Sequence, residues 1–318
     1  YTHKFNSINQ YSRKKCYCMS ICTAKKLIRD ADRAGCAVGA FNVGNMEMVL
    51  GAVAAAEELN TPIILQIAQS RFAHSPLGLM GPMMLEAARR AKVEIAVHLD
   101  HGQTEEAVRR ALNLGFSSVM FDGSRYEFSE NVRLTSRVAA MARAAGASME
   151  GELGIVGSGA RAAAGRAVAC TDPELARKFA EKTGVDALAV AIGNAHGHYA
   201  VEPKLQFGVL EEIHKKVKVP LVLHGGTGIS PDDFRKCIRR GIRKINIATA
   251  DFDAATRGAE KYVRAEGPHD YFGLNESMVR EVCETVRTHI LIFNNQVPLE
   301  QISEKHQEGK EIHAVHTV

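Results

Sequence analysis

The chain has 318 residues, of which 46% are hydrophobic, and this is enough to bury one large core. Its formal net charge of +4 comes from four basic residues near the amino end, and the rest of the chain carries acidic and basic side chains in equal number. A neutral body argues against nucleic acid as a partner. No apolar run reaches the roughly 18 residues that a membrane span requires, so no membrane partner is expected.

Residues 1–24 are interpreted as a disordered basic leader. They contain Lys4, Arg13, Lys14 and Lys15 and no acidic residue. A transit peptide is an alternative with the same composition, but the segment has no clear amphipathic period. Met19 is an alternative start of the protein.

The seven cysteines are odd in number and scattered along the chain, and no secretory signal precedes them. This pattern is typical of reduced thiols in the cytoplasm. Cys16, Cys18 and Cys22 cluster near the amino end but lack the second well-spaced pair that a zinc site needs. We therefore interpret the cluster as chance.

From residue 37 onward, eight short apolar runs typical of strands alternate with stretches typical of helices. The predicted strands are 37–43, 62–68, 94–100, 118–123, 148–154, 187–193, 220–226 and 244–250. The predicted helices are 46–59, 79–92, 104–114, 129–145, 173–184, 205–217, 231–240 and further C-terminal helices, one of them around 279–293.

Near-continuous apolar strands between helices predict a parallel sheet that is buried on both faces. Eight such units favour an α/β fold closed into a (β/α)₈ (TIM) barrel, predicted over residues 25–294 and followed by a polar tail, 295–318. The alternative is an open doubly wound sheet. It would need a glycine-rich phosphate-binding motif after the first strand, and residues 42–45 do not match one.

Polar side chains collect at the carboxyl ends of the predicted strands, which is the end of such barrels that carries the chemistry. Three of them are histidines on the third, sixth and seventh strands: His101, His196 and His224. Three imidazoles with open positions are the arrangement of a catalytic zinc ion. The sequence therefore predicts Zn²⁺ held by these three residues. His98 is assigned to packing because its position alternates with its neighbour on the strand, and His198 to a bystander or a substrate contact.

Three carboxylates accompany the predicted ligands. Asp100 is the candidate catalytic residue, because a carboxylate near a divalent cation stays ionised and can exchange a proton with a substrate oxygen. Its alternative role is to orient a histidine. Asp122 and Glu152 either accept hydrogen bonds from loop amides or provide a second position for the metal, and the residues alone leave both open.

Glycine-rich loops follow the sixth and seventh strands, where bare backbone amides and a helix N-terminus favour an anion. Barrels often bind phosphate after their seventh and eighth strands. The sequence therefore predicts phosphate or substrate contacts at Gly197, Gly225, Gly226, Thr227, Asn246, Ile247, Ala248 and Thr249.

The chain resembles the class II fructose-bisphosphate and tagatose-bisphosphate aldolases, and it looks more similar to the tagatose-type branch than to the fructose-type branch. The matching motifs span residues 25 to about 290 and are specific in combination. They are AFNVGNMEM (40–48), VHLDHGQ (97–103), SSVMFDGS (117–124), EGELG (150–154), TDPELARKFAEKTGVDALAVAIGNAHGHY (171–199), VPLVLHGGTGIS (219–230) and KINIATA (244–250).

The resemblance implies a zinc-dependent aldehyde-lyase of carbohydrate metabolism. It would cleave a ketose bisphosphate reversibly to dihydroxyacetone phosphate and an aldehyde. It implies zinc at the three histidines, Asp100 as the group that exchanges a proton with the aldehyde oxygen, and Asp122 and Glu152 as ligands of an inner metal position. It also implies that Asn42 lines the site, and in some members that a monovalent cation lies near the phosphate. The family forms oligomers, usually homodimers or homotetramers.

Two departures narrow the substrate prediction. Family members often carry acidic residues in the loop after ELG, where one moves the C3 proton of dihydroxyacetone phosphate. Loop 155–170 of this chain contains Arg161 and Arg166 and no carboxylate. The arginines either bind an anionic aldehyde or are solvated. Thr227 replaces the usual serine and keeps its hydroxyl. One alternative is therefore a related metal-dependent aldolase for another sugar or sugar acid. A second is a zinc-binding barrel without catalytic activity, and the intact Asp100 argues against this one.

Overall fold

Parallel strands alternate with helices along the chain, and the strands close into a barrel. The computed structural model describes residues 20–158, 170–199 and 203–295. The strands within these residues are β1 Val38–Asn42, β2 Ile63–Ala68, β3 Ile95–Gly102, β4 Ser118–Phe121, β5 Ser148–Leu153, β6 Gly157–Ser158, β7 Ala187–Val190, β8 Ala195–His196, β9 Leu221–Leu223 and β10 Ile242–Ile247. Eight of them form one closed parallel sheet in the order β1–β2–β3–β4–β5–β7–β9–β10, and β10 pairs with β1. The remaining two, β6 and β8, pair separately. The predicted (β/α)₈ barrel is confirmed.

Helices surround this sheet, and two of them begin with a capping side chain that is followed by a proline. Asp172 precedes Pro173 and accepts hydrogen bonds from the amides of Glu174 and Leu175. Ser230 precedes Pro231 and accepts one from the amide of Asp233. A proline at the first helical position leaves no amide without a partner there. The described helices are α1 Ala24–Ala34, α2 Met46–Glu58, α3 Leu77–Arg90, α4 Glu105–Leu114, α5 Phe128–Ala144, α6 Pro173–Thr183, α7 Phe207–Lys216, α8 Pro231–Arg239, α9 Thr249–Glu266 and α10 Tyr271–Phe293, with a short 3₁₀ turn at Gln69–Arg71. None of the described helices combines the length and the apolar character that a membrane crossing needs.

The interior of the barrel is apolar at its amino end. Every second side chain of a strand points inward, and at this end the inward side chains form one buried cluster with α1. Its strand members are Val38, Ala40, Ile64, Ala96, Ala187, Ala189 and Val222. Helix α1 adds Leu27 and Ile28 to the same cluster. It therefore covers the amino end of the barrel, and the carboxyl end is left for a site.

Above this apolar layer, the inward side chains are polar but still buried. They are Gln66, His98, Ser118, Glu150 and Lys244. Lys244 Nζ lies 2.9 Å from Glu150 Oε2, so the two charges compensate each other inside the barrel. His98 Nδ1 lies 2.7 Å from Ser118 Oγ, and the fully buried ring packs as the sequence analysis predicted.

Residues 20–24, which the sequence analysis placed in the leader, are part of the fold. The amide of Ile95 donates to the carbonyl of Ser20 (2.7 Å), and the amide of Cys22 donates to the carbonyl of Ile95 (3.1 Å). Thr23 then caps α1, a helix that the sequence analysis did not predict. Residues 1–19, including Cys16 and Cys18, lie outside the described residues, and so do residues 296–318 of the predicted tail. Cys22 is a free thiol.

Several strand boundaries differ from the predicted ones. Strand β10 begins at Ile242, two residues before the predicted start at 244, so Lys244 is its third residue and points into the barrel and is not the first residue of the strand. Strand β3 extends to Gly102 and includes His101. Strand β9 ends at Leu223, so His224 lies just beyond it. His101 and His224 therefore lie where the chain leaves β3 and β9, at the carboxyl end of the barrel.

The C-terminal helix α10 packs along α2 and α9. Its apolar residues Val282, Val286, Ile290 and Ile292 are all buried. They therefore belong to the layer around the barrel and leave no exposed apolar face for a partner at these positions.

Leu27→Ala is expected to lower the free energy of unfolding by about 3 kcal/mol, because it opens a cavity at the amino end of the barrel. Leu27 is 2% exposed on α1. Thermal denaturation checks the result, with Leu175→Ala as the control, since Leu175 is 41% exposed on α6. Equal losses in the two variants would show that α1 does not stabilise the barrel.

Candidate functional site

A cavity of about 500 Å³ opens at the carboxyl ends of the strands. Most of the residues that the sequence analysis assigned to a site line it. These are Asn42, Asp100, His101, Asp122, Glu152, His196, Gly197, Gly225, Gly226, Thr227, Asn246, Ala248 and Thr249. His224 is fully buried directly beneath them, where its ring contacts that of His101. The fold thus brings together side chains from seven of the barrel's strand ends.

The three predicted metal ligands converge in this cavity. His101 lies in β3, His196 in β8 and His224 after β9. One ring nitrogen from each lies within 4.8 Å of the others. His101 Nε2 and His224 Nδ1 are only 2.9 Å apart. These three nitrogens are therefore close enough to bind one ion.

The backbone at His101 explains how two consecutive residues both reach the cavity. In a regular strand Asp100 and His101 would point to opposite faces. His101 has a φ of 42°, in the left-handed region that a residue with a side chain adopts only at a cost. The turn at this residue directs both side chains to the carboxyl end of the barrel.

A second group of possible ligands shares His101. Its Nδ1 donates to Asp122 Oδ2 over 2.8 Å, and Glu152 Oε2 lies 3.7 Å from the same nitrogen. Asp122 also accepts from the amide and hydroxyl of Ser124 (3.1 and 2.7 Å). Glu152 Oε2 is buried and has no hydrogen-bond partner among the described residues. Such an orphaned carboxylate oxygen suits a nearby cation.

The orientation of His224 depends on a buried carboxylate that the sequence analysis did not assign. His224 Nε2 lies 2.8 Å from Glu150 Oε1, and the other carboxylate oxygen of Glu150 pairs with Lys244. Because Nε2 donates to Glu150, the Nδ1 lone pair faces His101 and His196. The available signal was alternation: Glu150 lies two residues before Glu152, and Lys244 two residues before Asn246, on the same inward faces.

The protonation of the three histidines is uneven. Burial disfavours the charged form of His101, but the charges of Asp100 and Glu152 and the hydrogen bond to Asp122 outweigh burial and raise its pKa to about 10. Burial and the neighbouring His101 lower the pKa of His196 to about 4. The same two causes hold the pKa of His224 well below its usual value. His196 and His224 are therefore neutral and offer lone pairs.

The acidic residues differ in the same way. Burial and the charge of Asp122 raise the pKa of Glu152 to about 8. Burial acts against ionisation of Asp122 as well, but the hydrogen bond and charge of His101 outweigh it and hold the pKa of Asp122 well below its usual range. The carboxylates around His101 thus favour a positive charge at this position. Either a proton on the imidazole or a divalent cation bound to the neutral imidazoles supplies it, so a metal ion fits this donor set.

Asp100 is held by two asparagine side chains. Asn42 Nδ2 donates to one carboxylate oxygen and Asn246 Nδ2 to the other, each over 3.0 Å. Burial would raise the pKa of Asp100, but the charges of His101 and Lys244 and the hydrogen bond from Asn42 outweigh burial and lower it. Asp100 is therefore an ionised acceptor at a fixed position beside the histidines.

The glycine-rich loop after β9 lies against the loop that carries His196. Gly225 has a φ of 64°, and a side chain there would overlap the carbonyl oxygen of Ala195. Tyr199 links the two loops, because its hydroxyl donates to the carbonyl of Gly225 (3.0 Å) and accepts from the amide of Ala195 (2.7 Å). Helix α9 begins at Thr249, so its N-terminus faces the cavity beside Gly226 and Thr227. This arrangement favours an anion.

Other predicted contacts are placed differently. Ile247 does not line the cavity: its side chain is fully buried between barrel and helices, because it alternates with the inward-facing Asn246. His198 is 71% exposed and lies 3.4 Å from Asp253, outside the described lining. Arg161 and Arg166 lie outside the described residues. Five polar or aromatic lining residues were not predicted from the sequence, and these are Ser70, Arg71, Gln103, Ser124 and Phe252. All five follow strand ends, and Gln103 and Ser124 also end two of the motifs that carry the family resemblance.

Gly225→Ala is expected to lower kcat/KM by about tenfold or more, because an added Cβ would displace Ala195 and shift His196 from its position. The ideal Cβ lies 3.1 Å from the amide nitrogen of His196. Gly35→Ala is the control: Gly35 has a similar positive φ of 67°, but it does not line the cavity and no atom lies within 4 Å of its ideal Cβ. Zinc content and steady-state kinetics of both variants check the result. Equal effects would mean that strain alone, and not displacement of His196, is responsible.

Comparison with known proteins agrees with this geometry. A model of the family described as fructose-bisphosphate aldolase class-II matches residues 22–296. The fructose-bisphosphate aldolase of Geobacillus stearothermophilus is 39% identical over 262 residues, which cover 80% of this chain and 89% of that protein. The fructose-bisphosphate aldolase of Staphylococcus epidermidis is 36% identical over 270 residues, covering 83% and 94%. The crystal structure of the YdjI aldolase from Escherichia coli K12 aligns with a TM-score of 0.78 and 34% identity, over 86% of this chain and 97% of that one.

Proposed function

The chain belongs to the family of class II fructose-bisphosphate aldolases, and we propose that it is a zinc-dependent aldehyde-lyase acting on a phosphorylated ketose. The proposed reaction is the reversible cleavage of a substrate such as fructose 1,6-bisphosphate or tagatose 1,6-bisphosphate to dihydroxyacetone phosphate and an aldehyde. The observation that carries the proposal is the convergence of three histidines with an ionised Asp100 in one cavity.

Zinc is the family's cofactor, and we propose that His101, His196 and His224 hold it here. Bound at these nitrogens, the ion would supply the Lewis acidity that polarises the ketone of the substrate. Asp122 and Glu152 are proposed to hold the metal in an inner position together with His101, which the unpartnered Glu152 oxygen supports. Asp122 also fixes the ring of His101, and Glu150 fixes that of His224.

Asp100 is proposed to take the proton of the C4 hydroxyl as the carbon–carbon bond breaks, and to return it in the condensation direction. The two hydrogen bonds from Asn42 and Asn246 keep both oxygens in place. An amide does not transfer its proton to a carboxylate, so Asp100 stays free to accept the proton of the substrate. Asn42 and Asn246 are thus proposed to position the acid–base group as well as to line the site.

The phosphate of the dihydroxyacetone half is proposed to bind at Gly197, Gly225, Gly226, Thr227, Ala248 and Thr249. The position of these residues in the lining of the cavity and the N-terminus of α9 support this assignment. A monovalent cation beside the phosphate and a homodimer or homotetramer are further proposals from the family. We also propose a cytoplasmic protein, which the free thiols of all five cysteines in the described segments support.

An aldolase of the same type for another sugar or sugar acid is the second candidate, and the composition of loop 155–170 favours it. Residues 155–170 contain no carboxylate, so the C3 proton of dihydroxyacetone phosphate must move by another group. Such a change in the loop would accompany a change in the aldehyde that the enzyme accepts.

Metal analysis combined with an activity assay tests the proposal. The protein is expected to contain one zinc ion per chain and to cleave fructose or tagatose 1,6-bisphosphate, with activity lost to a chelator and restored by zinc. Zinc without cleavage of either bisphosphate, but with cleavage of other phosphorylated ketoses in a panel, would favour the second candidate. Cleavage that survives complete removal of the metal would contradict the zinc mechanism.

A further inference from the structure

One lysine lies inside the barrel beneath the site, and the proposed mechanism does not use it. Lys244 is fully buried, and among the described residues it is the only buried lysine or arginine. It lies two residues before Asn246 on β10, on the same inward face. It does not line the cavity, so it would not touch a substrate bound there. A buried charge loses its hydration, and its partners therefore determine what it contributes.

The first partner of Lys244 is the side chain of Asn246. Lys244 Nζ donates to Asn246 Oδ1 over 2.6 Å. An ammonium group has three donors and no acceptor, so it pairs with the amide oxygen and not with the amide nitrogen. The nitrogen, Nδ2, is then available to Asp100, to whose Oδ1 it donates over 3.0 Å. Lys244 thus fixes the amide that holds one oxygen of the proposed acid–base group.

The second partner is Glu150, which orients a proposed zinc ligand. Lys244 Nζ lies 2.9 Å from Glu150 Oε2, and Glu150 Oε1 lies 2.8 Å from His224 Nε2. The ammonium compensates the charge of this buried carboxylate, which accepts a hydrogen bond from Nε2. The lone pair of His224 Nδ1 is therefore left for the side of the site where the other two histidines lie.

Because both contacts start from one nitrogen atom, we infer that Lys244 is a positioning residue that sets the acid–base group and a zinc ligand relative to each other. The asparagine arm runs through Asn246 to Asp100. The glutamate arm runs through Glu150 to His224. The inference rests on the proposed aldolase function and adds to it a residue that acts from outside the cavity.

Lys244→Met tests both arms, because methionine has a similar length and cannot donate a hydrogen bond. At saturating zinc, kcat for cleavage of the bisphosphate is expected to fall by about 10- to 100-fold while KM changes by no more than about threefold. A displaced Asp100 slows the chemical step, and the proposed phosphate loops are not partners of Lys244. The zinc dissociation constant is expected to rise by about tenfold or more, as for other groups that orient a metal ligand. Competition with a chelating dye measures it without turnover.

The double variant Lys244→Met/Glu150→Gln separates the two arms and guards against misfolding. It removes the buried anion together with the cation, so no uncompensated charge of this pair is left in the barrel. The glutamine oxygen can still accept from His224 Nε2. Zinc affinity is therefore expected to return to within about threefold of the wild type. In contrast, kcat should stay about 10- to 100-fold low, because Asn246 Oδ1 still lacks its donor.

Two outcomes of the double variant would overturn the inference. Recovery of kcat together with zinc affinity would show that Lys244 only compensates the charge of Glu150. Zinc affinity that stays as low as in Lys244→Met would show that the glutamate arm does not orient His224.

Lys236→Met is the matched control. Lys236 lies 2.9 Å from Asp233 on α8, so this variant also breaks a lysine–carboxylate pair, but outside the barrel. Its zinc affinity and kcat should stay within about twofold of the wild type. If Lys244→Met lowers only the melting temperature and leaves zinc affinity and kcat like those of the control, Lys244 is a structural residue and the inference is wrong.

Zinc affinity separates a failure of this inference from a failure of the proposed function. If the wild type binds zinc but cleaves no phosphorylated ketose, the proposed function fails. Weaker zinc binding in Lys244→Met that is restored in the double variant would then still support the role of Lys244 toward His224. If the wild type is active and Lys244→Met is unchanged in kcat and zinc affinity, the function stands and the inference fails. A wild type that binds no zinc would overturn both.

Discussion

His196→Ala is expected to lower kcat for ketose cleavage by about 10⁴-fold or more, and to reduce bound zinc to a small fraction of one ion per chain. The proposed centre has three protein ligands, and two imidazoles hold a catalytic ion far more weakly than three. Burial and His101 keep His196 neutral, so its lone pair is available for the ion. Metal analysis after dialysis, together with steady-state kinetics at added zinc, measures both effects.

His198→Ala is the matched control, because it removes an imidazole two residues away. His198 is 71% exposed and lies near Asp253 at the rim, so zinc content and kcat should both stay close to those of the wild type. Circular dichroism checks that both variants are folded. Full activity in His196→Ala would contradict the zinc mechanism. An equal loss of zinc and of kcat in His198→Ala would mean that a change in the loop, and not the loss of a ligand, lowers the activity.

Asp100→Ala is expected to lower kcat for cleavage by about 10²- to 10⁴-fold while leaving the zinc content unchanged, as for loss of a general acid–base group. Alanine is the informative replacement. An asparagine would turn an N–H donor toward Asn42 or Asn246, both of which donate to Asp100, and would disturb the network. Asp253→Ala, at the rim, is the control for removing a carboxylate near the site.

Isotope exchange gives Asp100→Ala a second readout that a structural defect would not reproduce. Removal of the C3 proton of dihydroxyacetone phosphate does not involve the aldehyde oxygen. The variant should therefore still exchange that proton with deuterated solvent at a rate close to the wild type, while cleavage is slow. If exchange and cleavage fall together, Asp100 also serves the C3 proton, and it would then replace the carboxylate that loop 155–170 lacks.

The barrel was predictable because its signal is repeated eight times. Alternation of apolar strands with helices reflects burial of both sheet faces. Because the active sites of such barrels lie at the carboxyl ends of the strands, His101, His196 and His224 could be placed together without any knowledge of their distances. Strand ends were less predictable: β10 begins two residues early because Lys244, a charged residue, occupies an inward position opposite Glu150. Hydrophobicity alone cannot identify a buried ion pair.

Features that depend on tertiary contacts were not predictable from the chain. Helix α1 has a strong charged face and was not predicted, although its residues Leu27 and Ile28 complete the apolar layer inside the barrel. Arg71 follows β2 in an ordinary polar stretch, and only the contact with Phe252, which lies 181 positions further on, shows that it turns into the cavity. Such residues become candidates once the sheet has brought distant segments together.

The left-handed backbone at His101 matters for attempts to make this protein more robust. Glycine or asparagine adopts that conformation with less strain than histidine, so a design guided by backbone geometry alone would replace His101. The imidazolium of His101 compensates the buried carboxylates of Asp100 and Asp122, however, and its removal would leave them without this cation in the metal-free protein. Relief of backbone strain at this position is therefore expected to lower the thermal tolerance of the scaffold and also to remove a metal ligand, so engineering has to leave the residue unchanged.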